Sequence, residues 1–571
     1  MKHFLISIDK QDKELNIIEY SNQINIINNK KFLILFDGEI PNLLEEYRKR
    51  GVNVINAIEG AFSIIIYDKV EEKIFIAKDK VGIKPLYYAN TDKNLIVGTH
   101  LKKFSKVKSF QADINPSTLG EYLQFGFILQ PHTIFKDAYK VCAGEIISFS
   151  IDNNFTPTSQ KYWSLEACYK EEKRLYSEDE VLEKMDKKLN SIIEKETKSS
   201  NFGLSLSGGY DSSTLVAMAQ KQSDKKIDTF TIGFNDEQID EAPYAKKIAD
   251  FLGTNHHEYY FNESDALEII PKIAEIFDEP FADYAAAPTI ITTQLLKQKG
   301  IEKLIAGDGG DEVFATAENV QSFEYLQKSP KLLKQTIAKM LNSVKVEKLP
   351  YLKEYNNLPI KQHKLYQLLM ANSIPQMVYS RNTLFLEEEL THNIKGYYPL
   401  PYNSFDNIEF TNYAQTVDEV IGSYFKTTMV DGELVKSYST TNYLDITLAT
   451  PFLNIELIEQ MARVPSSLKI KDGIKKYLLK EIAHSYITKE LMERPKAGFA
   501  IPFSEWMRGG LKELLYSQIN QQRLDKDNIF YTSSILKIRD QFYAGNEAYK
   551  YKLWRVFIFQ LWYENFKNHK G

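Results

Sequence analysis

Phe202-Gly203-Leu204-Ser205-Leu206-Ser207-Gly208-Gly209-Tyr210-Asp211-Ser212-Ser213 reads as a short buried strand, a glycine turn and the opening of a helix. Two adjacent glycines let a backbone turn sharply and come close to an anion. The free amides at the start of the following helix then point at that anion. Ser207, Ser212 and Ser213 add hydroxyl donors. Asp211 is a carboxylate beside an anion, a pairing that makes chemical sense with Mg²⁺ bridging it to phosphate oxygens. No G-x-x-x-x-G-K-[ST] run occurs, so this is a pyrophosphate-binding loop of another kind than the Walker type.

Working outward from this loop, the spacing predicts strands at 202–206, 228–234, 258–261 and 303–306. Helices are predicted at 212–221, 242–252, 266–277 and 289–299. Strand-helix alternation of this kind implies a parallel sheet with helices on both faces. The last strand runs into Gly307-Asp308-Gly309-Gly310-Asp311-Glu312. Three glycines and three acids at the C-terminal edge of a strand suit a metal-phosphate site, with Asp311 as the second metal ligand beside Asp211. Upstream, Val181, Met185, Leu189, Ile192 and Ile193 fall at helical spacing within 178–198, and Ser177 with Glu180 forms a capping-box signature. Residues 1–110 carry strand-like runs at 32–36, 62–67 and 73–77. Asp37-Gly38, Glu59-Gly60 and Val81-Gly82 punctuate these runs as turns. Beyond about residue 315 the pattern is mainly helical. The expected organisation is an antiparallel, β-rich domain at 1–165 and an α/β domain at 175–571.

The chain has 571 residues and a formal net charge of -5, with its many lysines interspersed among acids, so no global field favours nucleic acid. Its two cysteines, Cys142 and Cys168, make neither a disulfide framework nor a C-x-x-C zinc pair. No apolar run approaches the ~18 residues that span a bilayer. A soluble cytoplasmic protein with no membrane partner is expected.

These motifs together resemble the asparagine synthetase family. In the second half the resemblance rests on Ser207 to Ser213, Phe230-Thr231-Ile232-Gly233-Phe234, Asp278-Glu279-Pro280-Phe281-Ala282-Asp283 and Gly307 to Phe314. Pro451-Phe452-Leu453, Lys476-Tyr477-Leu478-Leu479-Lys480 and Arg494-Pro495-Lys496-Ala497-Gly498-Phe499 extend it. It implies an α/β PP-loop ATP pyrophosphatase domain with a parallel sheet and a helical C-terminal part. The cofactors implied are ATP and Mg²⁺, and the chemistry is conversion of a carboxylate to an acyl-adenylate. By the same resemblance the backbone at Leu206 and Ile232 holds adenine, and Ser207, Gly208, Gly209, Ser212, Ser213 and Gly307 cradle the phosphates. Asp211 and Asp311 hold Mg²⁺, and Lys476, Asp308 and Arg494 act at the reacting groups, with Lys496 as an assistant.

The first half resembles the family's glutaminase domain, an α+β, Ntn-hydrolase-like fold, through Asp37-Gly38-Glu39-Ile40, Gly60-Ala61-Phe62 and Asp79 to Tyr88. Its chemistry does not carry over. The family's nucleophilic cysteine after the initiator methionine is replaced by Lys2, which cannot act as a thiolate. The arginine-histidine-arginine-glycine-proline motif has no counterpart, and the stretch from Glu39 to Gly60 is too short for the family's glutamate-binding segment. Asp37 stands where an asparagine normally precedes the oxyanion glycine. On the acceptor side, the aspartate-arginine and glutamate-x-arginine pairs expected before Pro451 are Tyr438, Ser439, Thr447 and Ala449. Free aspartate would lose its ion-pair partners there.

Retained ATP motifs beside a lost glutaminase resemble lasso-peptide cyclases and β-lactam synthetases, in which the amine belongs to the activated molecule. Macrolactam closure of a peptide is therefore the leading expectation, with a peptide or small carboxylic acid as substrate and a precursor-peptide processing protein as partner. Ammonia-dependent amidation of an amino acid or sugar acid is the alternative enzyme. A non-catalytic scaffold binding ATP or a peptide is the alternative of another class.

Overall fold

The computed structural model describes residues 1–170, 172–174, 176–198, 201–236, 240–343, 358–401, 404–406, 408–410, 413–493 and 501–568. Eleven strands build the first domain among these residues: β1 (Phe4–Asp9), β2 (Leu15–Tyr20), β3 (Asn25–Asn28), β4 (Phe32–Asp37), β5 (Ser63–Asp68), β6 (Lys73–Lys78), β7 (Tyr87–Asn90), β8 (Asn94–Gly98), β9 (Ala138–Lys140), β10 (Glu145–Ser150) and β11 (Pro157–Lys161). They form two antiparallel sheets, ordered β2-β1-β8-β7-β9 and β11-β10-β6-β5-β4-β3. Alternation along each strand explains the layering. Leu33, Leu35, Ile65, Ile74 and Ile76 face Phe4, Ile6, Ile8, Leu95 and Val97 of the other sheet. The intervening Ile34, Phe36, Ile64 and Ile66 point the opposite way, onto Leu43 and Tyr47 of helix α1 (Leu43–Arg50). The reverse face of the first sheet, through Leu5, Ala89 and Ile96, joins a core shared with α2 (Pro116–Phe125) and with the helix Lys550–Asn568 at the far end of the chain. The two domains are thus welded by an apolar interface.

The second domain opens with α3 (Glu178–Thr197), whose capping box is present as Ser177 with Glu180. A five-stranded sheet follows, ordered β14-β13-β12-β15-β16 and parallel throughout, from β12 (Phe202–Ser205), β13 (Asp228–Phe234), β14 (Asn255–Phe261), β15 (Lys303–Ile305) and β16 (Thr447–Ala449). Its helices are α4 (Tyr210–Lys221), α5 (Ala242–Leu252), α6 (Glu263–Ile276) and α7 (Ala286–Gln298). The chain leaves β12 toward β13 and β14, then returns to β15 on the other side. Strand β12 is therefore the switch point, where the carboxyl ends of parallel strands open a crevice. Leu204 pairs with Ile305, so the turns after β12 and after β15 emerge side by side.

The first domain contains helices α1 and α2 besides its strands, as an α+β fold requires. Two features go beyond the sequence expectations. The helical C-terminal part returns one strand, β16, to the sheet beside β15. A continuous helical rod also crosses the second domain: Thr416–Tyr424, a π-helical stretch Phe425–Glu433, and Leu434–Tyr443. Wide π turns of this kind occur at functional sites more often than elsewhere.

Candidate active site

The turn after β12 is built by Gly208, whose φ of 74° lies in the left-handed region that suits glycine. Gly209 caps α4. The Ser212 hydroxyl receives the Ser207 amide at 3.1 Å and lies 3.0 Å from the Ser207 hydroxyl, so the two serines close the turn on itself. Asp211, in the first turn of α4, crosses to the turn after β15. It packs on Gly307 and Gly310, where a Cβ at Gly310 would lie 2.2 Å from Asp211 Oδ1. That close approach is what the glycine permits. Asp311 follows in the short helix Gly310–Phe314.

Lys476 ties the two turns together. Its ammonium donates to Asp211 Oδ1 at 2.6 Å and lies 2.7 Å from Asp311 Oδ1. Burial would lower the Lys476 pKa, but Asp211 and Asp311 outweigh it and the net direction is up, so the side chain is a fixed cation. The backbone that aims it is strained. Lys476 has φ 55° and Ala315 has φ 70°, and the Lys476 amide donates to the Ala315 carbonyl at 3.2 Å. Left-handed conformations of this kind cost about 1–3 kcal/mol and persist where the surroundings hold them.

Ser207, Asp211, Ser212, Gly307, Gly310 and Asp311 line a cleft of about 370 Å³, with Lys476 behind the two carboxylates it pairs with. Its apolar end is formed by Leu206, Phe230 and Ile232. The Leu206 amide is engaged with the Phe230 carbonyl at 2.9 Å, and its carbonyl accepts from the Thr231 hydroxyl. Ile232 runs past the last paired residue of β12, so its backbone on that side reaches the cleft. Gly208 and Gly209 shape the turn without lining the cleft. Ser213 is fully buried, and its hydroxyl finds no hydrogen-bond partner among the described residues. The sequence expectation of Ser213 as a phosphate donor is corrected on this point: helical phase turns it into the core. Arg494 and Lys496 lie outside the described residues.

Asp308 reaches the same cleft. Burial first, then Glu433, push its pKa up to about 6, and its Oδ2 has no hydrogen-bond partner among the described residues. Glu312 rises to about 8 through burial and the neighbouring Asp311. Opposite the pyrophosphate turn stands a group that sequence reading missed. Glu433 ends the π-helical stretch, and Lys436 and Ser437 begin the helix after it; all three line the cleft. The Lys436 ammonium donates to Asp283 at 2.9 Å and to Glu433 at 2.6 Å. Burial opposes its charge, yet Asp283 and Glu433 raise its pKa. The sequence motif Asp278 to Asp283 touches this group through Asp283. Glu279 of the same motif is instead buried against Lys140 at 3.0 Å. His256 and His257 sit on edge strand β14 and bond to Thr229 and Asp228.

Asp211 and Asp311 are the carboxylates placed to share a cation. No group of three histidine, cysteine or acidic side chains is arranged for a metal among the described residues. Magnesium, however, is commonly held by one or two carboxylates with phosphate oxygens completing its shell, so this pair fits that ion when a nucleotide is present.

Cys142 and Cys168 are both raised in pKa, chiefly by burial. Asp37 is buried and receives the Lys84 ammonium at 2.5 Å. Among the described residues no helix is long and apolar enough to cross a membrane.

Residues 187–564 match the family described as asparagine synthase, and residues 16–163 match the glutamine amidotransferase domain. The putative asparagine synthetase (glutamine-hydrolyzing) 2 of Methanocaldococcus jannaschii is 32% identical over 363 residues, 61% of this chain and 67% of that protein. Asparagine synthetase (glutamine-hydrolyzing) 1 of Bacillus subtilis is 26% identical over 534 residues, 92% and 81% of the two chains. An amidase of Gibberella zeae is 21% identical over 541 residues, 87% of this chain and 77% of its own length. With the family match spanning the whole of the parallel sheet and its cleft, the chain belongs to the asparagine synthase family of ATP-dependent amide ligases.

Proposed function

We propose that this ligase activates a peptide or specialised small-molecule carboxylate with Mg·ATP and joins it to an amine of the same molecule, without hydrolysing glutamine. Closure of a peptide macrolactam is the leading reaction. The observation that carries the proposal is the contrast between the two halves. The cleft keeps Asp211, Asp311 and Lys476 in one ion-paired cluster, whereas Asp37 of the former glutaminase is consumed by Lys84.

In this reading Leu206 and Ile232 hold the adenine, and the turn from Ser207 to Ser212 with Gly307 cradles the phosphates. Mg²⁺ on Asp211 and Asp311 would supply charge neutralisation for the phosphates. The substrate carboxylate attacks the α-phosphorus and pyrophosphate leaves. Lys476 stabilises the charge that develops between the phosphate and the carbonyl. The amine then attacks the acyl carbon and AMP departs. Asp308, with a pKa of about 6, is largely ionised at neutral pH and is matched to accept the proton the amine loses. Holding the amine on the same molecule supplies the effective concentration that a free amine lacks.

The test is pyrophosphate and AMP release from Mg·ATP across a panel of linear peptides, amino acids and sugar acids, with and without ammonium or glutamine. Release driven by a peptide alone, with loss of one water from the product mass, supports the proposal. A strict requirement for ammonium would replace it with amidation by free ammonia, and glutamine-dependent asparagine formation would sink it.

A further inference from the structure

The outer face of the π-helical stretch and of the helix Leu434–Tyr443 is gripped by the first domain. The Gln130 amide donates to Asp431 Oδ2 at 2.9 Å, and the Lys140 ammonium lies 3.4 Å from Asp431 Oδ1 and 3.0 Å from Glu279. Further along the same face, the Tyr438 hydroxyl donates to Asp37 Oδ2 at 3.3 Å, beside the Lys84 ammonium. Another turn along, Asn442 exchanges hydrogen bonds with the Lys2 backbone, accepting from its amide at 2.9 Å and donating to its carbonyl at 3.3 Å. Asp431, Tyr438 and Asn442 share one face at helical spacing. Glu433, Lys436 and Ser437 share the opposite face, which lines the cleft.

Asp37, Asp431, Lys140 and Tyr438 are all less than a tenth exposed. Buried charged groups hold a register because a displaced partner leaves an uncompensated charge. A cavity of about 50 Å³ lies between the domains, lined by Lys78, Lys140, Asp278, Glu279, Asp431 and Tyr438 among others. That is room for a water or two, among side chains already engaged with one another.

We infer that the first domain serves as a strut: Asp37, Lys84 and Lys140 act as positioning residues that hold the helix carrying Glu433, Lys436 and Ser437 against the cleft. The aspartate in place of the oxyanion asparagine is then a bearing point, and the domain contributes to amide formation by geometry. The inference rests on reading the cleft as the active site.

The experiment compares full-length wild type with Tyr438→Phe, Lys140→Met and Lys140→Arg. Hydrogen exchange is followed at 434–443, with 210–221 as the internal reference. In parallel, hydroxamate formation is measured with Mg·ATP, hydroxylamine as the amine, and whichever acid released most pyrophosphate in the panel above. Losing one hydrogen bond at Tyr438 is expected to speed exchange at 434–443 and lower the hydroxamate kcat, each about fivefold, with the KM for ATP within about twofold. Lys140→Met is expected to do more, and Lys140→Arg to restore both readouts. Tyr438→Phe retains a folded comparison if Lys140→Met does not fold. Equal acceleration of both segments, parallel changes in kcat and ATP KM, or wild-type exchange at 434–443 would overturn the strut. If no acid releases pyrophosphate, the proposed function fails while the exchange data still decide the strut.

Discussion

Gly310→Ala puts a methyl group into the space now held by the Asp211 carboxylate. The added Cβ would stand 2.2 Å from Asp211 Oδ1, 2.6 Å from its Cγ and 3.1 Å from its Cβ, where ordinary contact begins at 3.4 Å. Either the carboxylate or the first turn of Gly310–Phe314 must therefore move by about 1 Å. Gly310 itself has no left-handed φ, so alanine brings no backbone strain of its own, and the whole effect falls on the contact. Asp211 is anchored by Lys476 at 2.6 Å, so moving it also disturbs the ammonium shared with Asp311. Misplacement of a reacting constellation by about 1 Å costs on the order of 10²-fold in rate. The expected outcome is a pyrophosphate-release rate lowered about 100-fold. The melting temperature should fall by only a few degrees, because the contact lies at the cleft and not in a core. The assay is continuous pyrophosphate release beside a thermal melt. Wild-type turnover in a folded Gly310→Ala protein would refute the claim that Asp211 must sit across Gly310.

Two further substitutions probe the charges. Lys476→Met leaves Asp211 and Asp311 facing each other without their shared cation, and should lower pyrophosphate release about 10²–10³-fold. Added Mg²⁺ should raise the melting temperature of that variant more than that of wild type; an equal rise would argue that the two carboxylates do not share a cation. Asp308 titrates at about 6, above its ordinary 3.8, so the folded protein holds the proton more tightly than the unfolded chain. Its stabilising contribution is intact below about pH 4 and is lost as pH rises through about 6. Asp308→Asn should therefore gain stability over wild type at pH 7, on the order of 3 kcal/mol, and none at pH 4. A melting-temperature difference that does not vary between those pH values would contradict the raised pKa of this buried carboxylate.

The parallel sheet was legible because its strands from 202 to 306 are separated by helices with clear periodicity and glycine turns. The same stretch delivered both acidic turns, since Asp211 and Asp311 follow strands that the topology makes neighbours. Strand β16 was not legible. It spans three residues, too few for an alternating pattern, and pairs with β15 from far along the chain. Helix α1 was hidden among charges, with Leu43 and Tyr47 its only buried side chains. On the acceptor side, counting back from Pro451 pointed to Tyr438 and Ser439, which turn toward the first domain. Lys436 and Ser437 on the same helix face the cleft. A count along the chain does not report helical phase, and the π-helical stretch before Leu434 shifts that phase further. Ser213 was misread for a related reason: the first turn of α4 presents Asp211 and Ser212 to the cleft, and the next residue points inward.

The measurement closest to the central claim follows nitrogen through the reaction. Purified protein is incubated with Mg·ATP, a peptide substrate identified by pyrophosphate release, and glutamine labelled with ¹⁵N at its side-chain amide. The account predicts AMP and pyrophosphate in equal amounts, a product lighter than its substrate by one water, no ¹⁵N in that product and no glutamate. Glutamate formed in step with a ¹⁵N-labelled amide would contradict it.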